Sequence, residues 1–122
     1  MVLTNYGRQA LTWAIGSDVT NNYISYCAIG SGSGTALVSN TTLVHEADRE
    51  ALTGTPDFSV NRQVSFQFDF NASSISGIDM SEFGLLASGV ALTGSLWQRE
   101  AFSAITFDGT NELQIQSTYA VI

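Results

Sequence analysis

Few side chains in this 122-residue sequence could carry chemistry: one histidine, His45, one cysteine, Cys27, no lysine, and four arginines against eleven carboxylates. His45 stands in the run His45-Glu46-Ala47-Asp48. A transition metal would need one more ligand from elsewhere. A nucleophilic relay would require His45 to meet Cys27 or a serine in space, and the Gly-x-Ser-x-Gly elbow is absent. Cys27 lies inside an apolar run with no basic neighbour, which points to a buried, inert thiol. As the sole cysteine it can form no intrachain disulfide. Asp79 with Glu82, or Glu46 with Asp48, could be drawn as an acid and base pair, but carboxylates flanking strands are more often solvated or bonded to arginine. Asp108, Asn111 and Glu112 offer oxygens to a calcium ion, although Asp108-Gly109 is explained as a turn without one.

The stretch Gly30-Ser31-Gly32-Ser33-Gly34 invites a phosphate-loop reading, because glycines let backbone N–H groups approach a phosphate. Dinucleotide loops need Gly-x-Gly-x-x-Gly opening a helix, and triphosphate loops need Gly-Lys. Neither pattern fits, so the glycines are expected to form a flexible or partner-contacting loop. No catalytic residue, metal site or cofactor is expected.

The elements that must position these residues are mostly strands. One helix is expected from about Thr4 to Ile15, where Leu3, Gly7, Ala10, Leu11 and Ala14 recur at helical spacing; Thr4 is its N-cap and Gly16 its stop. Gly7 costs about 1 kcal/mol relative to Ala, so the helix should hold by packing on a sheet. A polar turn, Ser17 to Asn22, leads to an apolar run from Tyr23 to Ile29 that reads as a central strand. Ala36 to Leu43 alternates poorly and suggests a loop with one short helical turn. Glu46 to Phe58 reads as an irregular or edge strand turning near Gly54-Thr55-Pro56. Val64 to Phe70 alternates strictly, Val and three Phe on one face, Ser, Gln and Asp on the other. Strands at Phe83 to Ala87 and Leu96 to Phe102, with turn signals at Ser88-Gly89 and Thr93-Gly94, make a meander or hairpin. The last strand, Glu112 to Ile122, puts Leu113, Ile115, Tyr119 and Val121 on one face. The sum is one mainly β domain over 1–122, an antiparallel β-sandwich or small barrel with one N-terminal α-helix.

Composition narrows the function. A net charge of −7 and pI near 4.2 disfavour nucleic acid, whose binding needs clustered Lys and Arg, and anionic membrane surfaces for the same reason. Residues 1–8 show no basic-then-apolar leader and no stretch approaches the ~20 apolar residues of a membrane span. A soluble product of the cytoplasm is expected, for which the sequons at Asn40 and Asn71 carry no glycan. At 12% charged residues the surface is charge-poor, as in a protein whose exterior is covered by partners. Scarce arginines are expected to be held by carboxylates, Arg49 and Arg99 with Glu46, Glu82 or Glu100, fixing loops or subunit contacts.

Four motifs occur in order: Leu3-Thr4-Asn5-Tyr6-Gly7; Ala28-Ile29-Gly30-Ser31-Gly32; Thr42-Leu43-Val44-His45-Glu46 with Arg49; and Ser81-Glu82-Phe83-Gly84-Leu85-Leu86 with Leu96-Trp97-Gln98-Arg99. Together they resemble the N-terminal module of tail-fibre and related tail-tip or baseplate proteins of bacteriophages, over residues 3 to about 102. The resemblance implies a β-rich virion domain that multimerises and attaches to other phage structural proteins without catalysis. With the sequence ending at Ile122 before any fibre shaft, it implies a stand-alone adaptor, tail-tip or head-decorating protein. Gly30, Gly32, Gly34, Trp97 and Arg99 are the expected contact residues. The rival of another class is a carbohydrate or cell-surface binding module using Trp13, Trp97 or tyrosines as a platform.

Overall fold

The structure is a computed structural model that describes residues 2–16, 23–87 and 95–122. The turn signals at Ser17 to Asn22, Ser88-Gly89 and Thr93-Gly94 lie outside the described residues.

A short strand, β1 (Val2–Leu3), runs straight into α1 (Asn5–Ile15). Thr4 caps the helix as expected: its hydroxyl oxygen accepts the Gly7 N–H at 3.1 Å, and its own proton goes to the backbone carbonyls of Leu96 and Trp97. Helix and sheet approach so closely here that a Cβ on Gly7 would lie 2.4 Å from the Trp97 carbonyl oxygen, a contact only glycine permits. The helix stops at Gly16, which keeps a negative φ of −87° rather than the left-handed geometry of the usual glycine stop. Its apolar face is only partly buried. Gly7 and Ala10 pack inward, while Leu11 is 49% and Ile15 83% exposed.

The main sheet has five antiparallel strands in the order β1-β6-β5-β2-β3, comprising β2 (Tyr26–Gly30), β3 (Glu46–Ala51), β5 (Asp79–Leu86) and β6 (Leu96–Thr106). A second, two-stranded sheet pairs β4 (Gln63–Phe70) with β7 (Leu113–Ala120). The fold is mainly β and sandwich-like, with no closed barrel. β2 is central, as its composition implied, flanked by β5 and β3. Its near-continuous apolar run follows from burial on both faces. Cys27 and Ile29 belong to the core between the sheets, whereas Ala28 joins Leu43, Leu86 and Leu96 on the far side. Tyr23 and Ile24, expected in this strand, precede it.

The Phe face of β4 meets the core: Phe66, Phe68 and Phe70 are buried with Ile115 of β7 against Cys27, Ile29, Leu85 and Trp97. At about 1.5–3 kcal/mol for each fully buried large apolar side chain, this layer dominates the folding free energy. β3 is an edge strand. Beyond it the chain crosses to the second sheet, where Thr53 N–H bonds Gln67 O and Asp57 exchanges bonds with Ser65, with Gly54 at φ +71° in the turn.

Several expectations shift. Residues 36–43 contain turns but no helix. A one-turn helix, α2 (Ala72–Ile75), forms instead, driven by insertion of the fully buried Ile75 into the core; four residues are too few to show a helical period. β5 begins at Asp79 and β6 runs to Thr106, both longer than their apolar segments.

Candidate functional site

Two regions hold the features the sequence singled out. The first is a polar hub behind the glycine loop, centred on the fully buried Glu82 of β5. One carboxylate oxygen accepts Arg99 Nε–H at 2.9 Å and Val44 N–H at 2.9 Å. The other accepts Gly32 N–H at 2.7 Å and His45 N–H at 2.8 Å. The rest of the Arg99 guanidinium, itself 1% exposed, reaches Ser33 O at 3.3 Å and Gly34 O and Asn40 Oδ1 at 3.5 Å. Ser81 Oγ donates to Gly32 O at 2.6 Å. Burial by itself would raise the Glu82 carboxyl, but the donors from His45, Arg99, Val44 and Gly32 outweigh it and hold the group below the ordinary carboxylate range.

This hub explains the glycines. A Cβ on Gly30 would lie 2.2 Å from His45 O, and one on Gly32 would lie 2.1 Å from Glu82 Oε2. The loop therefore does present a backbone N–H, that of Gly32, to an anion, and the anion is the protein's own carboxylate. Two of the four arginines meet the carboxylates expected for them: Arg99 with Glu82, and Arg49 with Glu46 through Nε–Oε2 at 3.0 Å and Nη2–Oε1 at 2.6 Å. Glu100 takes part in neither.

Of the five residues expected at a contact surface, only Gly34 is exposed. Gly30, Gly32, Trp97 and Arg99 are interior to the chain, where they shape the loop and the core. Trp97 is 8% exposed and Trp13 is half-buried edge-on to Tyr6, so neither offers an open ring face as a sugar platform.

His45 does meet a serine. Ser31 Oγ lies 2.8 Å from His45 Nδ1 at the surface. A relay also needs a third group to orient the imidazole and donors for an oxyanion. Among the described residues no carboxylate reaches its Nε2, and the adjacent Gly32 N–H is consumed by Glu82. Cys27 is fully buried and burial pushes its thiol up, away from the reactive thiolate. Asp79 accepts the Thr106 hydroxyl at 2.6 Å, whereas Glu82 belongs to the hub. Asp108 turns onto Thr110, accepting its hydroxyl at 2.6 Å and its N–H at 2.9 Å, and these bonds hold it below the usual carboxylate range.

The second region was not singled out in the sequence. An apolar groove of about 850 Å³ runs between α1, residues 56–64 and the end of β7, lined by Leu11, Tyr23, Phe58, Val60, Tyr119 and Val121 among others. Phe58 is 72% and Val121 76% exposed. Arg62, with φ +65°, lies on its wall. The only forewarning was the apolar excess of the helix face, which the sheet does not cover. No protein-family model matches this chain, and no curated protein does.

Proposed function

We propose that this chain is a bacteriophage virion structural protein, a tail-tip, fibre-attachment or adaptor component that acts through self-assembly and contacts with other phage structural proteins. The observation that carries the reading is the apolar groove with its exposed rim. Large contiguous apolar surface on a soluble domain marks a place where another protein is received. The ordered motifs add to it. Thr4, Gly7, Gly30, Gly32, His45, Glu82, Trp97 and Arg99 come from segments far apart in the chain and converge on one frame, joined by the contacts Thr4–Trp97, Gly32–Glu82 and Glu82–Arg99. A signature of that kind describes a fold module shared by related assembly domains, which leaves the contact surface free to differ. Head decoration is the variant of this role that places the same surface on a capsid.

The test is incorporation. Virions banded on a density gradient should carry the chain at a fixed copy number, and the purified chain should show a defined oligomeric mass by light scattering across a wide concentration range. A persistent monomer missing from particles would overturn the reading and favour the surface-binding module.

A further inference from the structure

We infer that the outer edge of β7 is a self-pairing edge, at which a second copy of this chain docks antiparallel to form a continuous β4-β7-β7-β4 sheet. The inference deepens the assembly reading and rests on it, by naming the surface through which copies join.

The direction of the edge follows from the backbone hydrogen bonds of β4. Ser65 exchanges both backbone bonds with Asp57, and Gln67 O accepts from Thr53, so the odd-numbered residues of β4 point their N–H and C=O groups away from β7. The even-numbered ones, Val64, Phe66, Phe68 and Phe70, therefore bond to Tyr119, Ser117, Ile115 and Leu113. Gln114, Gln116 and Thr118 are left with backbone groups aimed outward, all three exposed, and no strand among the described residues pairs with that edge. Unpaired edges are templates for another strand unless charge, proline or a bulge guards them.

The two long edges differ in this respect. β3 carries Glu46, Asp48, Arg49 and Glu50 among six residues. β7, Leu-Gln-Ile-Gln-Ser-Thr-Tyr-Ala, carries no charge, no proline and no register shift against β4. In a chain of net charge −7, copies repel over most of their surface, and this strand is where they do not. A twofold axis at Gln116 sets Gln116 opposite Gln116 and Gln114 opposite Thr118. The existing pairs Gln67–Gln116 and Asp69–Gln114 then extend across the junction as polar rows. The two Asp69 carboxylates stand three strand spacings of ~4.8 Å apart across the sheet and about four residues out of line along it, beyond a Debye length at physiological salt. The edge adjoins the apolar groove, whose wall includes Tyr119, Ala120 and Val121.

The test uses the full chain. Gln116→Cys should give a covalent dimer with a short bifunctional thiol cross-linker, since paired residues hold their Cβ atoms ~4.5–5.5 Å apart and the native Cys27 is buried. Ala47→Cys on β3 should not. Gln116→Lys, which opposes two ammonium groups, should weaken self-association about tenfold or more with the thermal midpoint unchanged. Equal cross-linking at both positions, or an oligomer that survives Gln116→Lys, overturns the edge while leaving the assembly reading in place. A wild-type chain that is monomeric at every concentration and absent from virions overturns both.

Discussion

The glycine-loop end and the groove side of this molecule treat their surfaces in opposite ways. At the loop end a buried carboxylate takes the backbone N–H groups of Gly32, Val44 and His45 and its guanidinium partner reaches the carbonyls of Ser33 and Gly34, so that a segment of glycines and serines becomes a fixed part of the frame. At the groove side, leucine, tyrosine, phenylalanine and valine side chains stay exposed, and the outer edge of β7 has no strand partner among the described residues. A polar, glycine-rich loop resembles a binding site and turns out to be self-satisfied, while unmarked apolar residues form the surface with unused binding capacity. Unsatisfied surface, rather than concentration of polar residues, is where binding capacity remains.

The comparison is open to breakage, beginning where the effect should be largest. Glu82→Ala leaves the Arg99 guanidinium buried without its counter-charge and strands three backbone N–H groups, so unfolding free energy from denaturant titration should fall by about 3–5 kcal/mol. A loss under about 1 kcal/mol would mean the hub is incidental. Gly32→Ala should cost about 1–3 kcal/mol, because the new Cβ meets Glu82 Oε2 at 2.1 Å and Val44 Cβ at 2.5 Å. A free loop would show no such loss.

Acid should act on the hub in a predictable direction. The folded protein holds Glu82 below its ordinary value of 4.5, so its contribution is complete above about pH 4.5 and disappears as pH falls through the lowered folded value. The thermal midpoint should decline below pH 4.5, and Glu82→Gln should flatten that decline. Burial of Tyr119, whose hydroxyl donates to Gln98 Oε1, raises its pKa, so stability should also decrease as pH climbs past 10. On the groove side the effects on folding should be smallest: Phe58→Ser and Val60→Ser should change stability by no more than about 0.5 kcal/mol while reducing self-association or particle incorporation. If these substitutions unfold the protein, the groove is core and the comparison collapses.

Much of the frame was legible in sequence wherever a local rule sufficed. Thr4 could be read as a cap because capping involves residues three apart, and the Phe face of Val64 to Phe70 because strand alternation has period two. Arginine scarcity limited the ion pairs to a short set that included both pairs found. Reading ran out where burial depended on distant partners. The strand expected from Phe83 left out Asp79 to Glu82, since nothing local reveals that Arg99, Val44, His45 and Gly32 converge on Glu82 from 17 to 50 positions away. Trp97 and Arg99 looked like contact residues for the same reason.

The sequence by itself determined the class of fold, the central strand, the helix start and the carboxylates available to Arg49 and Arg99, because these follow from spacing and from counts of residue types. Only the tertiary structure decided which apolar residues stay uncovered and which strand edge stays open. A side chain's exposure is set by what the rest of the chain lays against it: β6 and the second sheet are large enough to cover Gly7, Ala10 and Trp97 but leave Ile15, Phe58 and Val121 in solvent.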